Sequence, residues 1–64
     1  MSEEITEKEM IQKNIEEFSR LQDYMLVAEK DSNVYKLMKT RYYDLKAILT
    51  SSGINLVDID RVKE

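Results

Sequence analysis

Cysteine, histidine and proline are all absent from this sequence, and Gly53 is its single glycine. Without cysteine the chain can form neither a disulfide nor a thiolate metal site. Without histidine it also lacks the commonest nitrogen ligand for zinc and the usual general base. One glycine cannot build a phosphate-cradling loop. No run approaches the ~18 apolar residues of a membrane span, so no membrane contact is expected. The start, MSEEITEKE, is acidic and lacks a charged-then-apolar signal pattern, and the expected location is the cytoplasm.

What remains suits helices. The 64 residues are 42% hydrophobic and 36% charged, which does not describe a disordered tail. They make one domain at most, residues 1–64, of all-α class. A chain this short buries only about 60% of its unfolded surface and is marginal as a monomer. With disulfide and metal staples excluded, association is the expected reinforcement. The net charge of −3 is uneven. Residues 1–31 carry nine acids and four bases, whereas residues 32–53 set Lys36, Lys39, Arg41 and Lys46 against Asp44 alone. The two segments can pair with each other, or the basic one can face an acidic partner.

The first helix is expected over residues 6–30, after a frayed start at 1–5. Thr6 and Glu9 fit a capping box, and Ile5 with Met10 fits a hydrophobic staple. Ile11, Phe18 and Met25 recur every seven residues, interleaved with Asn14, Leu21 and Ala28. With Met10, Ile15 and Tyr24 they cover roughly 160° of the helix, wider than a two-stranded coiled-coil seam. The second helix is expected over 33–52, with Tyr35, Met38, Tyr42, Leu45 and Leu49 in 3-4-3-4 spacing. Gly53 suits the left-handed residue that ends a helix, and Ile54 suits the contact back to Leu49. Asn55 can cap a third, short helix over 55–63, although the alternation Ile54, Leu56, Asp58 also permits an extended segment.

Between the two long helices stand Asp31, Ser32 and Asn33, residues whose side chains compete for backbone groups and favour caps and turns. Positions 14, 21, 28, 35, 42 and 49 form one seven-residue series across the triplet, as a continuous helix would require. The companion row fails, because Met25 is followed by Ser32 and Lys39. That change favours an antiparallel hairpin of helices about 36 and 30 Å long. Each apolar arc is too wide for one partner helix. Dimerisation into a four-helix bundle is therefore expected, with a three-helix monomer as the alternative. The residues assigned to the oligomer interface are Asn14, Phe18, Leu21, Met25, Tyr35, Met38, Tyr42 and Leu45. Asn14 is a polar residue on the stripe and suits a register-fixing role.

Signs of chemistry are scarce, and neither an enzyme nor a cofactor is expected. Ser2, Thr6, Ser32, Ser51 and Ser52 are read as caps. The carboxylates Glu3, Glu4, Glu7, Glu9, Asp58 and Asp60 read as solvated acids, and Asp58-Ile59-Asp60 lacks the further oxygens and glycine of a calcium loop. Lys36, Lys39, Tyr43 and Lys46 share a face, read as lying opposite Tyr42 and Leu45. Such a face suits phosphate contact and base stacking; it equally suits a protein-docking surface or plain solvation. The chain resembles, in outline, small bacterial regulators built as helical hairpins, such as the sporulation phosphatases. Their Ser-Gln-Glu-Leu-Asp stretch is absent. The nearest segment is Thr40-Arg41-Tyr42-Tyr43-Asp44, so no site residue carries across. The expected role is that of a small self-associating regulator that binds an unidentified protein. A nucleic-acid factor using Lys36, Lys39 and Lys46 is the alternative.

Overall fold

The computed structural model describes residues 6–64. Among them are two α-helices, α1 (Glu7–Val27) and α2 (Asn33–Ser51), and no strand. The expectation of a frayed 1–5 and the Ile5 half of the staple lie outside the described residues.

α1 starts where its cap predicts. Thr6 is extended, its hydroxyl accepts from the Glu9 N–H at 3.1 Å, and it donates to the Glu9 carboxylate at 3.1 Å. The end comes earlier than residue 30. Ala28 turns extended (φ −82°, ψ 151°) after its N–H has bonded the Tyr24 carbonyl. The chain then reverses, so the hairpin holds and the continuous helix does not. Ser32 makes the reversal. Its hydroxyl donates to the Glu29 carbonyl at 2.7 Å and accepts from the Tyr35 N–H at 3.0 Å. One side chain thus closes the turn and caps α2.

α2 ends in a Schellman motif. The Ile54 N–H bonds the Leu49 carbonyl at 3.0 Å, the Gly53 N–H bonds the Thr50 carbonyl at 3.0 Å, and Gly53 sits at φ +84°. Beyond it the expected helix over 55–63 is replaced by a single turn at residues 57–59. The Asn55 side chain accepts from the Val57 N–H at 2.9 Å, and the Ile59 and Asp60 N–H groups share the Leu56 carbonyl. The helix cannot continue because its next donors are already taken. Arg61 and Val62 give their N–H groups to Gln22, Lys63 to Asp60, and Glu64 to Tyr42. The segment runs instead as an irregular strap across the helix pair.

Phe18, Met25, Tyr35, Tyr42, Leu45 and Leu49 form the buried core. Ile15, Leu21, Met38, Ile54, Leu56, Ile59 and Val62 pack around it. The Phe18 and Tyr42 rings stack at 5.4 Å and 17°. This corrects part of the interface assignment. Phe18, Met25, Tyr35, Tyr42 and Leu45 are covered within one chain, because the strap supplies the third apolar layer. Asn14, Leu21 and Met38 are only half-buried. The result is a slab with extents of 45 × 27 × 15 Å.

Candidate functional site

The feature that organises the molecule is the groove between α1 and α2, with the strap lying in it. On the α1 side the recognising residue is Gln22, which is fully buried. Its Nε2 donates to the Ile59 carbonyl at 2.7 Å. Its Oε1 accepts from the Arg61 and Val62 N–H groups at 2.5 and 2.9 Å. A single amide thereby satisfies three strap backbone groups that would otherwise be buried without partners. Arg61 reaches back over the rim to the Asp23 carboxylate at 2.8 Å and the Ser19 carbonyl at 2.7 Å.

On the α2 side the hub is the Tyr42 hydroxyl. It donates to the Asp60 carboxylate at 2.5 Å and accepts from the Glu64 N–H at 3.0 Å. The Lys46 ammonium lies 3.1 Å from Asp60 and 4.9 Å from the centre of the Tyr42 ring. Burial alone would raise the Asp60 pKa. The hydrogen bonds from Tyr42, the Lys63 N–H and Lys46 outweigh it and hold the carboxyl below its ordinary range. Burial and the neighbouring carboxylate push the Tyr42 phenol up, so it stays protonated and remains a donor. Farther along, Lys39 meets Glu64 at 2.9 Å, with Lys30 at 3.9 Å. The hydrogen bond from Lys39 lowers the Glu64 pKa, and Tyr35 beside it acts in the same direction. The Tyr35 hydroxyl is itself buried, and it completes no hydrogen bond of good geometry among the described residues.

The lysine face read from the sequence is therefore divided. Lys36 is exposed and Tyr43 is 47% exposed, but Lys39 and Lys46 are tied to strap carboxylates. Lys46 does not lie opposite Tyr42. It follows by four residues, a rotation of only about 40°, and so covers the same ring. Gln22 escaped the sequence reading altogether. Its signal was its phase, since Ile11, Ile15, Phe18, Gln22 and Met25 keep helical spacing.

The other side of the slab is open. Glu17 and Ser19 are two residues apart, about 200° around α1, so Glu17 points away from the strap. There it grips Arg41 in a two-pronged pair at 2.7 and 3.0 Å, bridging the helices. By helical phase Met10, Asn14, Leu21 and Tyr24 share the Glu17 face of α1, and Leu37 and Ile48 the Arg41 face of α2; Met10, Tyr24, Leu37 and Ile48 are exposed, and Leu21 and Asn14 half-buried.

Two clefts flank the strap. One, of about 360 Å³, is lined by Lys46, Leu56, Val57, Asp60 and Lys63. The other, of about 210 Å³, has Ile15, Phe18 and Ser19 on one wall and Asp58, Ile59 and Arg61 on the other. Among the described residues no three acidic side chains gather to hold a metal ion, and no helix is long and apolar enough to cross a membrane. The network holds a peptide chain in place. No known protein family, curated protein or solved structure matches this chain.

Proposed function

We propose that this chain is a small non-enzymatic protein–protein interaction module that works as a homodimer. In the dimer two hairpins pack through their open sides into a four-helix bundle. The observation that carries the reading is the exposure of Leu37 (74%) and Tyr24 (56%) on the side opposite the strap. Met10 and Ile48 extend the same patch, and Asn14 sits within it as a polar residue suited to fixing register. A second copy brings the same apolar side chains and the same Glu17–Arg41 clasp, as a two-fold interface requires. The nucleic-acid reading is weaker, because strap carboxylates already neutralise Lys39 and Lys46.

Sedimentation velocity tests the proposal. The natural chain is expected to sediment as a dimer. Leu37→Glu is expected to yield a monomer of unchanged helicity, since Leu37 contributes little to the chain's own core. A natural chain that stays monomeric at high concentration would overturn the dimer.

A further inference from the structure

The strap shows what the helix pair can hold. Its backbone is read by Gln22, which asks for a bent chain that turns two successive N–H groups toward one acceptor and presents a carbonyl beside them. Its side chains are read at two cationic corners. Lys46 and Tyr42 receive Asp60, and Lys39 with Lys30 receives Glu64. Ile59, just before the first corner, and Val62, between the two, rest against the core.

The strap is nevertheless an incomplete occupant. Ile59 and Val62 are only half-buried. The two clefts leave space along both edges, and the second of them reaches the otherwise fully buried Phe18. At the Glu64 corner the Tyr35 hydroxyl, on a residue only 3% exposed, stands beside the Glu64 carboxylate and helps lower its pKa without reaching full hydrogen-bond geometry. A buried donor left unpaired is costly. A carboxylate seated slightly deeper than that of Glu64 would satisfy it.

We propose that the groove between α1 and α2 is a recognition site for an irregular, bent acidic segment of a partner protein, and that residues 59–64 are its built-in competitor. The preferred segment follows the resident one: an apolar residue, then an acid, then a second apolar residue two positions on, then a second acid two positions beyond that. Its first acid enters the Tyr42–Lys46 corner and its second the Lys39–Tyr35 corner. Gln22 binds the backbone between them. The site lies on the opposite side of the slab from the proposed dimer contact and does not depend on it.

The probe is a fluorescent synthetic peptide with the sequence of residues 57–64, added to the full chain. The resident strap competes with it, so weakening the strap should tighten binding. The full-length chain carrying Asp60→Asn and Glu64→Gln is expected to bind the peptide at least about tenfold more tightly than the natural chain, a change of about 1.4 kcal/mol. Adding Gln22→Ala to that background is expected to abolish binding. In the natural chain, which needs no substitution to fold, nuclear magnetic resonance should show the amides of residues 59–64 moving toward unstructured values as peptide is added. Equal affinity for the two chains, absence of binding to both, or a bound peptide that leaves the strap resonances unmoved would each overturn the proposal.

Discussion

At the scale of single residues, two buried tyrosines make opposite use of the same hydroxyl. Tyr42 bonds Asp60 and Glu64, whereas Tyr35 bonds none of the described residues. Tyr42→Phe should therefore cost about 1–3 kcal/mol, the usual penalty for stranding buried partners. Tyr35→Phe should be neutral within about 0.5 kcal/mol, or stabilising. Urea unfolding checks both, and equal losses would show that Tyr35 does have a partner. Gln22→Ala belongs with Tyr42→Phe. It leaves two N–H groups and a carbonyl of the strap without their acceptor and donor, so a loss of about 1–3 kcal/mol is expected from the same measurement. Gln22 was hard to read from sequence because a glutamine on an apolar stripe looks like an interruption. Only the strap, far away in the chain, turns it into a core residue.

At the scale of elements, the caps were legible because each is a local spacing. Thr6 with Glu9, the Asp31-Ser32-Asn33 turn, and Gly53 with Ile54 all fall where the sequence puts them. The third helix was not legible, since what prevents it comes from outside the segment. Gln22 precedes Arg61 by 39 residues, and Tyr42 precedes Glu64 by 22. Periodicity cannot show a side chain that captures backbone donors at such a distance. The early end of α1 has a local origin instead, because Ser32 bonds back to Glu29 and draws residues 28–32 into the link. Gly53 allows a clean test of the cap. A Cβ there would meet nothing within 4 Å, so the cost of Gly53→Ala is purely that of holding an alanine at φ +84°. That cost should be about 1–2 kcal/mol, read from thermal unfolding. A neutral outcome would mean that the cap gives way without loss.

At the scale of the whole molecule, several charged pairs around the core make stability depend on pH. The carboxyls of Asp60, Glu64 and Glu17 all have pKa values below their ordinary ranges. A lowered folded pKa means that the unfolded chain binds protons more readily. The associated stability is present above about pH 4 and is lost as the pH falls through the folded values. Lys39, Lys46 and Tyr42 are shifted upward, so their contribution is present below about pH 10 and is lost above it. The melting temperature should form a plateau across neutral pH with a fall at each end. In the chain with Asp60→Asn and Glu64→Gln the acid fall should be shallower. An unchanged acid limb would assign the acid sensitivity to other carboxyls.

The strap also has a place in time. Its anchors, Gln22 and Tyr42, belong to different helices, so no docking site exists until α1 and α2 have met. Closing the strap onto Gln22 also joins residues 37 to 40 positions apart, the kind of long-range contact that slows folding. The hairpin should therefore form first and the strap last, after the rate-limiting barrier. Gln22→Ala is then expected to speed unfolding while leaving the folding rate nearly unchanged, a pattern that stopped-flow measurements distinguish directly. The residue that fastens the strap would set how long the closed state lasts, and would have little influence on how quickly it is reached.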